Sequence, residues 1–138
     1  MNLFDILGPV MVGPSSSHTA GAVRIGYTSG KLLQDHVVKA EILLHGSFAT
    51  TGIGHGTDKA LIAGLLGMQV DDPAIPDSFR IAGERGMDFS LEGIDLGDVH
   101  PNSVKMNLTG VSGRTLEVVA ASIGGGRIQI CALDGIPA

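Results

Sequence analysis

The sequence predicts an α+β fold, a two-layer α/β sandwich with a mixed or antiparallel sheet. Apolar residues recur at helical spacing early in the chain, between Ser17 and Leu33. They alternate with polar residues late, in three runs from Val104 to Ala132 parted by the turns at 110–113 and 123–126. Helices early and paired strands late favour this arrangement over a doubly wound parallel sheet. The 138 residues, 43% of them hydrophobic, fit one domain spanning 1–138 that can bury a substantial core.

The elements follow in order. Gly8-Pro9 and Gly13-Pro14 punctuate a short apolar start. A helix is expected over Ser17–Leu33, with Ala22, Ile25, Gly26, Ser29, Leu32 and Leu33 on one stripe. Val37 to His45 reads as a strand with Val38, Ala40, Ile42 and Leu44 on one face and Lys39, Glu41 and His45 opposite. It runs into a glycine- and hydroxyl-rich loop from Gly46 to Gly56. Thr57 is expected as the N-cap of a helix from Asp58 to Leu66 that stops at Gly67. Ile75-Pro76-Asp77-Ser78 opens a further helix ending near Arg85-Gly86, and Met87 to Leu91 is an edge-type strand. The three alternating runs close the sheet, and Gly135-Ile136-Pro137 reads as the start of a linker near 135–138.

Charge and composition exclude several function classes. The net charge is −5 and 4% of residues are aromatic, with no Trp and no basic run. That disfavours nucleic-acid binding on both charge and stacking grounds, and membrane-surface binding on charge. No apolar run is long enough to span a bilayer, and the start lacks the pattern of a signal peptide, so a cytoplasmic location is expected. The single cysteine, Cys131, forms no internal disulfide and cannot by itself hold a cubane cluster, which takes three or four thiolates.

Polar residues concentrate in four segments: Ser15–Thr19, Ser47–Asp58, His100–Ser103 and Ser122–Arg127. The first is Ser15-Ser16-Ser17-His18-Thr19, placed where a helix begins. A helix start presents free N–H groups and a positive dipole end, a ready site for a carboxylate or phosphate. A histidine beside it can move a proton near neutral pH. An ordinary Ser/Thr cap with an exposed histidine fits the same pattern. His55, between Gly54 and Gly56, is a second candidate for proton work, because ordering so glycine-rich a loop is entropically costly unless a ligand repays it. Gly52-x-Gly54-x-Gly56 has the wrong spacing for a dinucleotide fingerprint, and the histidines lack metal-ligand spacing, so no metal site is expected. Ser16 and His18 lack the nucleophile elbow of a serine hydrolase.

Taken together, Gly8-Pro9 through Gly21, His45-Gly46-Ser47-Phe48 through Asp58, His100-Pro101-Asn102-Ser103 and Ser122-x-Gly124-Gly125-Gly126 resemble the β chain or β domain of the bacterial iron–sulfur L-serine dehydratases. The resemblance implies an enzyme converting L-serine to pyruvate and ammonia with a 4Fe-4S cluster held by cysteines of a partner α chain and not by this one. One iron would act as a Lewis acid on the substrate hydroxyl. The resemblance also implies a sandwich like the allosteric substrate-binding domain of some phosphoglycerate dehydrogenases. Carried onto this chain, it implies that Ser15, Ser16, Ser17 and Thr19 hold the substrate carboxylate. His18 and His55 would then transfer protons, with His18 favoured as the base for its place beside the carboxylate. Gly46, Ser47, Gly56, Thr57 and Asp58 would shape a second wall, Asp58 near the substrate ammonium, and Asn102 would orient a histidine or contact substrate. The β chain of the two-chain type usually continues into an ACT regulatory domain, which these 138 residues lack. A non-catalytic serine-sensing domain is the alternative reading, and self-association into a homodimer through the sheet is left open.

Overall fold

The structure is a computed structural model and describes residues 17–52, 56–97 and 99–137. Among them α1 spans Ser17–Leu33, β1 Val37–His45, α2 Ser47–Gly52 and α3 Thr57–Leu65. A 3-10 turn, Ile75–Asp77, leads into α4, Ser78–Glu84. The strands β2 (Asp88–Ile94), β3 (Ser103–Gly110), β4 (Thr115–Gly124), β5 (Arg127–Leu133) and β6 (Ile136–Pro137) follow. The strand order is β2-β1-β3-β4-β5-β6. β1 and β2 run parallel and every other pair antiparallel, so the fold is α+β with a mixed sheet, as the sequence predicts.

The alternation along each strand decides which face is covered. Ala40, Ile42 and Leu44 of β1 lie in register with Leu108, Met106 and Val104 of β3, and these with Leu116, Val118 and Ala120 of β4. All but the half-buried Leu116 are buried under the helices, with Ala22, Val23, Ile25, Leu33, Leu61 and Ile62 from above. The opposite face is polar. There Asn107 donates to Glu41 at 2.7 Å, and Lys105 lies 3.4 Å from Glu117. Sheet alternation with one solvated face is the two-layer signature.

α1 and α3 meet backbone to backbone. A Cβ on Gly26 would overlap the Leu61 carbonyl and stand 2.9 Å from the Leu65 nitrogen, and one on Gly64 would stand 2.6 Å from the Tyr27 nitrogen. Only glycine permits this approach. α3 and α4 both end in Schellman turns: Met68 N–H bonds Ala63 O and Gly67 N–H bonds Gly64 O, while Met87 and Gly86 repeat the pattern on Ala82 and Gly83.

Four local expectations are corrected. Leu32 is 41% exposed, whereas Val23, off the expected stripe, is buried, because α1 packs on both the sheet and α3. Residues 47–52 form the helix α2 rather than loop, pinned by the buried Phe48. Thr57 is the first helical residue of α3 and Gly56, at φ 106°, is its N-cap, with no side-chain capping bond. Finally, Ile136–Pro137 pairs with β5 as an edge strand.

Candidate active site at one end of the sheet

β1, β2 and β4 end, and β3 and β5 begin, at the same end of the sheet. α1 starts there as well. Gly21 packs on Ser122 at the end of β4, and Arg24 Nη1 donates to the Gly126 carbonyl. Its other end lies over the β3–β4 turn, where Arg114 donates to the Leu33 carbonyl at 3.3 Å. α3 runs in the same direction, since Gly26 faces Leu61 and Gly30 faces Leu65. Both principal helices therefore aim their N-termini, with their positive dipole ends, toward one end of the molecule. No acidic residue occupies the first turn of α1, and Asp58 occupies that of α3. An anion is thus favoured at the first helix and already supplied at the second.

Segments far apart in sequence are tied together there. Ser122 N–H donates to the Asn102 carbonyl at 3.0 Å, joining β4 to the loop before β3. Asn102 N–H donates to His100 Nδ1 at 3.0 Å, and the Ser103 hydroxyl donates to the His100 carbonyl at 2.6 Å. Gly46 has φ +59° and sits on Pro101, whose carbonyl carbon would lie 3.1 Å from an added Cβ. Next to it, His45 Nδ1 accepts the Leu96 N–H at 2.9 Å and lies 3.9 Å from Asp95 Oδ1. Accepting at Nδ1 places the proton of the neutral imidazole on Nε2.

The expected site residues divide as follows. Thr19 is half-buried in the first turn of α1. Asn102 is half-buried and linked to Ser122. Gly46 bridges β1 to Pro101, and Gly56, Thr57 and Asp58 form the start of α3, with Thr57 and Asp58 buried. The Asp58 carboxylate accepts the Lys59 N–H at 2.8 Å. Ser17 and His18 lie in the first turn of α1 and Ser47 at the start of α2, placed by backbone alone. Ser15, Ser16 and His55 lie outside the described residues. Of the four polar segments, the structure brings His100–Ser103 and Ser122–Arg127 into direct contact; Ala20, Gly21 and Arg24, just after the first segment, pack on Ser122–Arg127, and Gly46, just before the second, sits on Pro101.

Two residues at this end carry no assigned role in the sequence-derived site, although Ser122 lies in one of its polar segments. Ser122 is 1% exposed and its hydroxyl has no hydrogen-bond partner among the described residues. Arg24 straps the glycine turn of 124–126, whose three residues all have positive φ. The alternation Val118, Ala120, Ser122 signals an inward serine on an otherwise apolar face; the Arg24 link, between residues 102 apart, has no such signal.

The chain's own residues do not fit an iron–sulfur cluster. Cys131 is the single cysteine, and burial on β5 raises its thiol pKa, the reverse of an activated ligand. Among the described residues no group of three or more His, Cys, Asp or Glu could hold a metal ion. A groove of about 880 Å³ lies at the opposite end beside Tyr27, Gln34 and Arg85. Its rim is spent on the fold: Lys31 stacks over the Tyr27 ring and Asp35 is bonded to Ser112. No described helix is long and apolar enough to cross a membrane.

Comparison with known proteins places this architecture. The serine dehydratase beta chain family matches residues 2–80. The chain is 45% identical over 134 residues to the L-serine dehydratase beta chain of Peptoniphilus asaccharolyticus, covering 96% of this chain and 60% of that protein. It is 45% identical over 134 residues to a probable L-serine dehydratase beta chain of Bacillus subtilis, covering 97% and 60%. Against L-serine dehydratase 1 of Escherichia coli it is 40% identical over 93 residues, 62% of this chain and 20% of that one. The chain thus spans about three fifths of the length of the separate beta chains it matches. It belongs to the serine dehydratase beta chain family.

Proposed function

We propose that this chain is the β subunit of an L-serine dehydratase, which eliminates water from L-serine to give pyruvate and ammonia. The observation that carries the reading is the meeting of α1's first turn with Ser122–Gly126 and, through Asn102, with the Gly46 turn. Family membership supports the reaction class. In this proposal the chain is inactive alone. A partner α chain supplies the 4Fe-4S cluster, because one cysteine cannot ligate it.

The chain's own contribution is recognition and proton transfer. Ser15, Ser16, Ser17 and Thr19, at the start of α1, hold the substrate carboxylate, where the helix dipole favours negative charge. His18, in that same turn, removes the Cα proton as general base, and His55 is the second candidate for proton transfer. Gly46, Ser47, Gly56 and Thr57 shape the second wall, Asp58 faces the ammonium, and Asn102 orients a histidine or contacts substrate. Loss of the Cα proton and of the hydroxyl gives an enamine, which tautomerises and hydrolyses to pyruvate and ammonia.

The test is anaerobic reconstitution with the α chain and assay of pyruvate formed from L-serine. Activity is expected only with both chains, and His18→Ala is expected to lower kcat by about a hundredfold. Near-wild-type turnover by that variant refutes the assignment of the base. Saturable L-serine binding by this chain alone, with no turnover in the complex, favours the sensing reading.

A further inference from the structure

We infer that Ser122 is a substrate-binding residue of this site, donating its hydroxyl to the carboxylate of the bound amino acid. The inference rests on the dehydratase reading and extends its carboxylate pocket to a residue on the sheet. Ser122 lies on the inward face of β4, after Val118 and Ala120, where a small apolar side chain would pack without cost. Its hydroxyl is buried and has no hydrogen-bond partner among the described residues. A buried hydroxyl without a partner is destabilising, and exceptions to full pairing call for an explanation. The surroundings supply one. The Ser122 side chain stands where a Cβ of Gly21 would be, 3.0 Å from Cβ to Cβ and closer at the hydroxyl oxygen. Gly21 is one turn into α1, directly after the Ser17–Ala20 turn at the positive end of the helix dipole. An unspent donor therefore lies against Gly21, directly after the first turn of a 17-residue helix with no acid in that turn.

The backbone holds the hydroxyl in that place. Ser122 N–H bonds the Asn102 carbonyl at 3.0 Å, and the neighbouring glycine turn is strapped to α1 by Arg24. A donor fixed on a strand can bind an anionic oxygen without losing side-chain entropy on the way. A carboxylate is the matching group, since it accepts at several lone pairs and gains from the helix dipole.

The experiment is Ser122→Ala in the complex reconstituted with the α chain, with L-serine kinetics and thermal unfolding measured on the same preparation. The expected result is a rise in KM on the order of tenfold, the loss of one hydrogen bond to a charged group, with kcat within about twofold. The unfolding midpoint is expected to stay or rise, because an unpaired polar group has been removed. Ser122→Cys, which keeps the size and a weak donor, should fall between. An unchanged KM in a folded Ser122→Ala complex overturns the role of Ser122 while leaving the dehydratase reading intact. A fall in midpoint with kcat and KM both degraded marks a packing role and also overturns it. A wild-type complex that does not convert L-serine overturns both.

Discussion

Gly26→Ala sets two physical effects of opposite sign against each other, and the structure decides between them. Helix propensity favours Ala over Gly by about 1 kcal/mol in a helix interior. The new Cβ, however, would stand 2.9 Å from the Leu65 nitrogen and 3.0 Å from the Gly64 Cα, and nearer still to the Leu61 carbonyl. Carbon contacts are optimal at roughly 3.5–4.0 Å, so α1 must withdraw from α3 by about half to one ångström. A gap of that size forfeits roughly a quarter to a half of the attraction between atom pairs across the interface. None of the obstructing atoms is a side chain that can rotate aside. Overpacking of this kind costs about 3 kcal/mol at the upper end of its usual range, leaving a net loss of about 2 kcal/mol. The assay is urea unfolding of the chain, where that loss moves the midpoint by roughly 1 M. Gly83→Ala is the internal control. It lies in α4, exposed and with nothing within 4 Å of a new Cβ, so the propensity gain stands alone at about 0.5–1 kcal/mol. A Gly26→Ala protein as stable as wild type, or a Gly83→Ala protein less stable, refutes the reasoning.

Gly46→Ala combines a left-handed backbone, costing about 1–2 kcal/mol for a residue with a Cβ, with displacement of Pro101. It should destabilise the chain and raise KM in the complex through the Asn102–Ser122 link, and Gly46→Asn, which tolerates that φ but keeps the clash, should recover only part of the stability in the same urea titration. Asp35 has its carboxyl pKa lowered below 3.8, first by the Ser112 hydroxyl and then by the Ser112 N–H. A depressed folded-state pKa contributes stability that is present above the unfolded value and lost as pH falls through the folded one. Wild type should therefore lose stability on acidification below about pH 4, and Asp35→Asn should show a flatter acid limb in pH-dependent thermal scans.

The clearest periodicities in the sequence map directly onto the structure. α1 and β1 occupy Ser17–Leu33 and Val37–His45, where 3.6- and two-residue patterns run through both elements, although the buried face of α1 takes in Val23 and leaves Leu32 exposed. α2 was hidden for a physical reason: Thr, Gly and Ser are poor helix formers, and the helix exists because Phe48 is buried beneath it. The neighbour of β1 at the sheet edge, the parallel β2, arises from contacts about fifty residues apart that leave no local mark. At the candidate site, the helix start at Ser17 was legible, whereas the pairing of Gly21 with Ser122 was not. A glycine inside a helix and a serine inside a strand each look like minor defects until the fold sets them against one another.

The glycine contact between α1 and α3 has a consequence for the site. Where helices meet through side chains, rotamer changes let their spacing drift. Here the spacing is gauged by main chain against main chain. The two helix starts thus sit at a calibrated separation, as two jaws cast in one piece. In the proposed function, the span from substrate carboxylate to ammonium would then be set by the scaffold, and changes to the lining would alter chemistry without altering that span.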